Sequence, residues 1–443
     1  MTTGPGTSHP VTAADPVTAA GRGSRIAAVE VTPVAFADPP LLNVVGVHQP
    51  WALRAIVQVR TDDGLLGLGE TYGDEAQLAR LQAVADRLGG HDPFDLHGLR
   101  VLVADVLAQE RSGAAAGASF GGMLDVDSAL ETVFSPFEVA CLDIQARRAG
   151  VPVSALLGGA VRERVQFSGY LFYRWAGHPG EPEDGWGEAL GPEQLIDQAR
   201  RMIDGWGFGS LKLKGGVLPP EQECAAIEAL ADAFPGMPLR LDPNGAWTPA
   251  TSVRVAERLA GVVEYLEDPT PGIAGMAEVS AQVDVPLATN MCVIAMEHLP
   301  PAIAADAVQV VLSDHHLWGG LRRSALLGGI TQTWGLGLSM HSNSHLGVSL
   351  AAMVHLAAAT PNLTYACDTH YPWKIQDVIR PGVLDFAAGE VAVPTTPGLG
   401  VELDGDLLGE LHEQYLRCGV RRREDTVYMR SIDPTFTPNT SRW

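Results

Sequence analysis

The chain is poor in positive charge, in cysteine pairs and in long hydrophobic runs. Lysine and arginine total 30 against 52 aspartates and glutamates, which gives a net charge of −22. This balance disfavours nucleic acid and anionic membrane surfaces as partners, so a small anionic substrate would need a local cationic pocket. The five cysteines form no C-x-x-C pair, which fits neither a disulfide framework nor a zinc knuckle and favours a reduced, cytoplasmic setting.

Membrane and export signals are also missing from the sequence. No apolar run approaches the ~18 residues of a membrane span. Residues 1–24 have no charged region followed by an apolar one, as a signal peptide would. Because they are rich in Pro, Gly, Thr and Ala, we expect them to form a disordered tail.

What the sequence does contain is a strand-rich segment followed by helices. The runs "IAAVEVTPV" and "RAIVQVRTDDGLLGLGETY" predict strands, with "TDDG" as a hairpin turn. Helical periodicity follows in "EAQLARLQAVADRLGG" and in "PFEVACLDIQARRAGVPVSALLGG", which closes on glycines as helix ends do. Strands first and helices next predict an α+β domain over residues 25–160.

Beyond residue 160 short apolar runs alternate with helix-length segments. There are eight runs, "VQFSGYLFY", "LKLKGG", "LRLDPNG", "VEYLEDP", "PLATNM", "VQVVLSD", "LGLSMHS" and "LTYACDTH". Such alternation is typical of parallel βα units, and eight of them predict a TIM-like α/β barrel.

Polar residues close these runs at intervals of 23 to 30 residues, about one βα unit each. In a barrel the carboxyl ends of all strands meet at one mouth, where active sites are built. We therefore expect these residues to face one cavity: Lys212, Lys214, Asp242, Glu267, Asn290, Asp314 and His341.

Three of these residues offer oxygen donors from adjacent strands. Asp242, Glu267 and Asn290 form a hard-oxygen set without thiolate, which favours Mg²⁺ over zinc or copper. Two of these motifs have a simpler interpretation. The motif "DPN" is also typical of a helix N-cap after a turn, and "EDP" is typical of a strand-ending turn. The matching position of all three in successive units favours the metal site.

The two lysines of "SLKLKGGV" share one face of a strand, because side chains two apart point the same way. A solvated edge is one interpretation of such a pair. In a barrel mouth Lys214 would be a base, and Lys212 would tune its basicity and hold an anion. His341, paired with Asp314, would be a second base on the other side of the mouth, suited to proton abstraction beside a carboxylate.

These motifs resemble the enolase superfamily and, within it, the D-glucarate dehydratase group. The order of "LKLKGGV", "LDPNGAW", "EDP", "ATN", "SDHHLW" and "MHSNSH" matches the family's order along the barrel, and "GYLFY", "DTHYPW" and "RRRED" extend the match. The resemblance implies an α+β capping domain, a barrel of the modified (β/α)7β or (β/α)8 type over 161–385, and a segment 386–443 that returns to the cap.

The resemblance also implies a reaction, the Mg²⁺-dependent dehydration of D-glucarate. Asp242, Glu267 and Asn290 would bind the metal, and Lys214 would take the C5 proton. His341 with Asp314 would take that proton from the C5 epimer, L-idarate, and would expel the neighbouring hydroxyl as water. Asn244 would assist beside the first metal ligand, and the product would be 5-keto-4-deoxy-D-glucarate.

Substrate contacts follow from the same resemblance. They are His48, Tyr170, Lys212, Ser342, Asn343, His370 and Arg423, with Arg423 as the carboxylate partner. The segment "ASFGGMLDVDS" has no Thr where the family has a substrate contact, which leaves the choice of sugar open.

Other functions remain open from the sequence. One is another acid-sugar dehydratase or epimerase, acting on galactarate, another aldarate or an aldonate. A second is a zinc hydrolase, suggested by His341 and His345 at helical spacing, although "GYLFY" offers no H-x-H. A third is a barrel that binds aldarates or a partner subunit without catalysis. Homo-oligomerisation is also left open.

Overall fold

The computed structural model of the chain describes residues 24–111 and 129–443. The expected tail lies outside these residues apart from Ser24, whose hydroxyl donates to Asp63 at 2.6 Å. The segment "ASFGGMLDVDS" also lies outside them. Across the described ranges no helix combines the length and the apolar character needed to cross a bilayer.

The first described unit is an antiparallel sheet with helices packed on it. Its elements are β1 (Ile26–Ala37), β2 (Leu42–Asn43), β3 (Gly46–Val47), β4 (Trp51–Thr61), β5 (Leu66–Tyr72), α1 (Glu75–Ala85), α2 (Leu96–Arg111), α3 (Ala129–Ala149) and α4 (Val153–Leu156). The sheet order is β1-β4-β5, and the predicted turn joins β4 to β5. Helix α3 lies directly on β5, where a Cβ at Gly69 would come within 2.0 Å of the Pro136 carbonyl oxygen. Glycine at this position permits the close packing.

The second unit is the predicted barrel. Its strands are β6 (Arg164–Phe172), β7 (Leu211–Lys214), β8 (Leu239–Asp242), β9 (Tyr265–Glu267), β10 (Leu287–Thr289), β11 (Val310–Ser313), β12 (Gly337–Met340) and β13 (Cys367–Thr369). Its helices are α5 (Pro192–Trp206), α6 (Pro220–Ala233), α7 (Pro249–Arg258), α8 (Gly272–Ser280), α9 (Leu299–Ala304), α10 (Leu321–Trp334) and α11 (Gly347–Ala358).

Neighbouring strands from β6 to β12 are parallel. The ring closes because β13 pairs with β6 and the amides of Thr364 and Tyr365 donate to the Leu338 carbonyl beside β13. A single turn of 3₁₀ helix, Tyr371–Trp373, follows β13, where a complete (β/α)8 barrel would have an α-helix. The fold class is confirmed, and the described chain has the modified (β/α)7β form.

The segment after the barrel contacts both units. Its elements are β14 (Phe386–Ala387), β15 (Glu390–Ala392), α12 (Gly405–Cys418) and α13 (Asp425–Ile432). Strand β15 pairs antiparallel with the start of β6, whereas His412 of α12 bonds the Pro33 carbonyl of β1 at 2.8 Å. The Asn439 side chain donates to the Gly216 carbonyl at 2.9 Å, and the backbone N–H of Asn439 donates to the Val44 carbonyl. The predicted domain limits stay predictions.

Glu138 of α3 ties the first unit to the barrel helix that follows β11. Its carboxylate accepts the amides of Leu321 at 2.9 Å and Arg322 at 3.1 Å, the first residues of α10. An anion at a helix N-terminus accepts hydrogen bonds from the unpaired amides and interacts favourably with the positive end of the helix dipole. Burial nevertheless raises the pKa of Glu138 to about 7, although the two amides oppose the shift.

The raised pKa predicts a pH dependence of stability. The folded protein holds the Glu138 proton more tightly than the unfolded chain, so the stabilisation is fully present below the usual pKa of 4.5 and is lost as pH rises through about 7. Gln cannot ionise, so the thermal midpoint of Glu138→Gln should rise relative to wild type between about pH 5 and pH 8. A difference in midpoint that does not change with pH would contradict this prediction.

Candidate active site

Polar side chains converge where the barrel strands end. Lys212 and Lys214 lie in β7, Asp242 and Glu267 end β8 and β9, and Asn290, Asp314 and His341 directly follow β10, β11 and β12. Apart from Lys214, all are buried. The structure thus brings the predicted ring together at one mouth, with Lys212 fully enclosed and Lys214 retaining 12 % exposure of its side chain.

Asp242 and Glu267 both approach Lys212, and Asn290 bonds Glu267. The Asn290 amide nitrogen donates to Glu267 Oε1 at 2.8 Å, which leaves Asn290 Oδ1 without a hydrogen-bond partner. Glu267 Oε2 accepts no hydrogen bond either, although Lys212 Nζ lies 2.6 Å away. Buried polar atoms are normally paired. Asn290 Oδ1, which has no partner, and the carboxylate oxygens of Glu267 and Asp242 are donors of the kind that a hard divalent cation prefers.

The charges of this group support the same conclusion. Burial raises the pKa of Glu267 well above its usual range; Lys212 opposes the shift, while Asp242 and Asp368 add to it. Burial also opposes ionisation of Asp242, but Lys214 and Lys212 hold its pKa down at about 2. A cluster of buried carboxylates in which one strongly resists ionisation would be stabilised by an added cation.

Lys212 is the buried counter-ion of this cluster. Its ammonium nitrogen lies 2.6 Å from Glu267, 2.7 Å from Asp368 and 3.4 Å from Asp242. These carboxylates raise the pKa of Lys212 well above its usual range, although burial alone would lower it. Lys212 is therefore a permanent cation held by the protein's own anions.

Lys214 has fewer partners and faces the opening. Its ammonium nitrogen donates to Asp242 Oδ2 at 2.8 Å and to Asn244 Oδ1 at 2.9 Å. Since Lys212 approaches that same Asp242 oxygen, both lysines point into the barrel as strand alternation requires. The solvated-edge interpretation is wrong.

Asn244 occupies a strained turn directly after β8. Its φ is +54°, in the left-handed region that Asn tolerates better than most residues. Its amide donates to Asp242 Oδ1 at 3.1 Å, while its side chain accepts from Lys214. The turn thus fixes a carboxylate and the candidate base at once.

The two glycines after Lys214 form the turn that follows β7. Gly216 has φ +74°, and a Cβ there would lie 2.3 Å from the Pro243 carbonyl oxygen. Beside it, Glu223 Oε2 accepts the Gly216 amide at 3.0 Å, and Oε1 accepts the Val217 and Leu218 amides. The buried carboxylate of Glu223 therefore fixes the backbone of the loop after β7.

His341 and Asp314 form the predicted pair. His341 Nδ1 lies 2.9 Å from Asp314 Oδ2. Burial opposes ionisation of Asp314, but His316 and His341 outweigh it and hold the pKa of Asp314 well below its usual range. An ionised Asp314 fixes the His341 ring with Nδ1 as donor, so that Nε2 is available to a substrate.

His370 directly follows β13, at the same end of the barrel strands. Burial lowers its pKa well below the usual range, and the charges of His48, His341, His345 and Lys214 add to the shift. Its Nδ1 is buried without a hydrogen-bond partner. His370 is therefore a neutral, buried imidazole at the mouth, and its predicted role as a substrate contact stays a prediction.

Tyr170 and Asn343 have protein partners that the sequence did not indicate. The Tyr170 hydroxyl donates to Asp242 Oδ2 at 3.1 Å, so it orients a candidate metal ligand. The Asn343 amide bonds Tyr72 at 3.0 Å and Arg54 at 3.4 Å, both in the N-terminal sheet. Ser342 accepts the His370 amide at 3.3 Å. Their predicted roles as substrate contacts stay predictions.

Arg423 does not present an open guanidinium to the mouth. It is held by Asp425, with bonds of 3.0 to 3.2 Å, and by Asp38 at 3.0 Å. The same Asp38 oxygen lies 3.2 Å from His48 Nδ1. Two buried carboxylates therefore pair with Arg423, and Asp38 links Arg423 to His48. The predicted role of Arg423 as the substrate's carboxylate partner stays a prediction.

The geometry does not favour the zinc interpretation. His341 and His345 lie in the irregular segment before α11, so their helical spacing does not exist. Among the described residues, Asp314, His315 and His316 are close enough for a metal. However, His316 Nε2 faces the Arg54 guanidinium at 2.9 Å, and a cation there opposes metal binding.

Sequence reasoning missed two buried groups at this site. Asp368 stands two positions before His370 in "DTH", on the strand face that looks inward, which could have identified it as the partner of Lys212. His316, in "SDHHLW", contacts Asp314 Oδ1 at 2.7 Å. Nothing local distinguishes His316 from its neighbour His315.

The different surroundings of the two lysines predict unequal costs of substitution. Lys212→Met leaves Glu267 and Asp368 without their buried cation and should lower the free energy of unfolding by about 3–5 kcal/mol. The same change at Lys214 should cost clearly less, because Asp242 keeps Tyr170 and Lys212. Denaturant titrations without divalent cations test this, and equal losses in the two variants would refute it.

Two family models match this chain. "Mandelate racemase / muconate lactonizing enzyme, N-terminal domain" matches residues 26–158, and "Enolase C-terminal domain-like" matches residues 194–407. Among curated proteins, a "Probable glucarate dehydratase" from Streptomyces coelicolor is 51 % identical over 431 residues, which are 95 % of this chain and 100 % of that protein.

Solved structures resemble the chain over nearly its whole length. An enolase from Mycobacterium smegmatis complexed with tartrate is 64 % identical, with a TM-score of 0.92, covering 96 % of this chain and 100 % of that one. An enolase from Thermobispora bispora complexed with magnesium and formate is 59 % identical, with a TM-score of 0.92, covering 95 % of this chain and 100 % of that one.

Proposed function

The chain belongs to the enolase superfamily, and on that premise we propose that it is a Mg²⁺-dependent acid-sugar dehydratase. The proposed substrates are D-glucarate and its C5 epimer, L-idarate, and the proposed product is 5-keto-4-deoxy-D-glucarate. The similarity to the "Probable glucarate dehydratase" supports this assignment. A cytoplasmic location is part of the proposal, in keeping with five free cysteines.

The observation that carries the proposal is the pair of bases around one set of oxygen donors. Lys214 comes from β7 and His341 follows β12, so they belong to different arcs of the ring. Both lie at the carboxyl ends of their strands, Lys214 beside Asp242 and Asn244 and His341 beside Asp314, so both border the same mouth. A substrate held there would present its two faces to two different bases.

The proposed reaction removes a proton from C5 and a hydroxyl from C4. Lys214 accepts the C5 proton of D-glucarate. His341, oriented by Asp314, accepts the C5 proton of L-idarate. His341 in its protonated form then donates to the C4 hydroxyl, which leaves as water. The resulting enol gains a proton at C4 and releases the proton of its C5 hydroxyl to water, which leaves the ketone at C5 and balances the atoms and charges.

Asp242, Glu267 and Asn290 would hold Mg²⁺, which stabilises negative charge on the substrate carboxylate while the proton is removed. Magnesium in the Thermobispora bispora structure supports this choice of metal. Replacing a third carboxylate by Asn290 leaves two negative ligands, which reduces repulsion of a dianion. The tartrate in the Mycobacterium smegmatis structure is a dicarboxylate of this kind.

Another acid-sugar substrate is the second candidate. Tyr170, Ser342 and Asn343 lie in or next to hydrogen-bond networks of the protein, and the segment 118–128 lies outside the described residues, so the distal contacts do not select one aldarate by themselves. A barrel that binds aldarates without catalysis is disfavoured, because a binder gains nothing from two bases.

Incubation of the purified protein with a panel of aldarates and aldonates tests the proposal. We expect keto-acid product from D-glucarate, its loss with EDTA and its restoration by Mg²⁺. Lys214→Ala should lower turnover of D-glucarate by at least about 10²-fold, the usual contribution of a general base. Absence of product from every diacid sugar would refute the function, and EDTA-resistant turnover would refute the metal's role.

Hydrogen exchange at C5 in D₂O separates the two bases. His341→Ala should still exchange the C5 proton of D-glucarate, which Lys214 serves, yet form little product because the acid that expels the hydroxyl is gone. Lys214→Ala should show the opposite preference, with exchange retained on L-idarate. Loss of both exchanges in either variant would contradict the assignment of one base to each epimer.

A further inference from the structure

His316 is a buried side chain at the mouth that the proposed mechanism does not use. It lies two residues after Asp314, and its Nδ1 is 2.7 Å from Asp314 Oδ1. Its Nε2 lies 2.9 Å from Arg54 Nη2 and 2.8 Å from Ser349 Oγ. Both ring nitrogens are thus engaged, one toward the acid/base pair and one toward β4 of the N-terminal sheet.

These neighbours determine which nitrogen carries hydrogen. A guanidinium has five N–H donors and no acceptor, so His316 Nε2 must accept from Arg54. The ring proton therefore sits on Nδ1 and is donated to Asp314. The geometry selects one tautomer of His316 through a residue of the N-terminal sheet.

Asp314 consequently receives donors on both oxygens. Oδ1 accepts the backbone amide of His316 at 2.9 Å and its Nδ1–H, while Oδ2 faces His341 Nδ1. A carboxylate saturated in this way is fixed in rotation and stays ionised. The orientation of the His341 ring then depends on Asp314 being held by His316.

Arg54 is itself fixed by other parts of the N-terminal sheet and by α11. Its Nε donates to Glu70 Oε1 at 2.9 Å, and neither side chain is appreciably exposed. Glu70 also accepts the amides of Leu346 and Ser349, each at 2.8 Å, at the start of α11. The chain of contacts from Glu70 to Asp314 is therefore continuous and buried.

We propose that His316 is a positioning residue whose Nδ1–H, selected by Arg54, holds Asp314 and thereby fixes His341 as the acid/base. The proposal rests on the proposed function, because it assigns a task to the same pair. It predicts that disturbing His316 affects steps served by His341 and spares those served by Lys214.

Three substitutions separate the two ends of the His316 ring. His316→Phe removes both nitrogens. His316→Asn keeps a donor near the Nδ1 position, toward Asp314, whereas His316→Gln places its amide toward Arg54 and withdraws the donor from Asp314. His355→Phe is a matched control, since His355 is a fully buried histidine of α11 that bonds the Ser154 amide and the Leu399 carbonyl instead.

The first measurement is C5 exchange in D₂O with each epimer, in parallel with thermal midpoints. For His316→Phe and His316→Gln we expect exchange of L-idarate to fall about 10- to 100-fold, with exchange of D-glucarate close to wild type. His316→Asn should recover most of the loss, and His355→Phe should lower stability without favouring one epimer. Equal losses for both epimers, or no loss, would overturn the proposal.

The second measurement does not need turnover. In protein labelled with ¹⁵N-histidine, the His341 signals, identified by their absence in His341→Gln, should report an Nδ1–H tautomer that weakens in His316→Phe and persists in His316→Asn. If wild type acts on neither epimer, the proposed function fails, and this signature alone decides the positioning role. An unchanged His341 tautomer in His316→Phe and His316→Gln would overturn it.

Discussion

The balance of charge around Lys212 is the interaction on which the rest of the mouth depends. One ammonium group, excluded from water, lies within reach of three carboxylates that come from β8, β9 and β13. Burial of these acids would otherwise favour their neutral forms, which are poor ligands for a cation and poor partners for a base. Lys212 therefore opposes the neutral forms of these acids, while Asn290 Oδ1 beside them keeps no hydrogen-bond partner.

The mouth has two halves that are supported differently. The half formed by β7 to β10 is held by Lys212 and Tyr170 inside the barrel and by Asn439 of the final segment, which bonds the loop after β7. The half that carries Asp314 and His341 is held from the N-terminal unit, because Glu138 and Glu70 bind the first amides of α10 and α11. Both acids use the positive end of a helix dipole, so the N-terminal unit anchors the helices that follow these two residues.

The strands and the inward ring could be predicted from the sequence because each depends on local pattern. Alternation in "LKLK" decides where Lys212 and Lys214 point, and the interval of one βα unit places Asp242 beside Glu267. The partners of Arg423 and His316 could not be predicted in this way. Asp38 lies 385 residues before Arg423. Arg54 stands in an apolar strand whose sequence pattern does not indicate a distant partner. Such contacts depend on how the units pack, which no periodicity encodes.

The segment after the barrel implies an order in which the parts of the chain fold. Strand β15 pairs with the start of β6, His412 bonds β1, and Asn439 joins the loop after Lys214 to Val44, between β2 and β3. These contacts close loops of more than two hundred residues, which slows folding. During synthesis the barrel and the N-terminal sheet emerge long before the residues that join them. The candidate base should thus acquire its final surroundings late, when the end of the chain has docked.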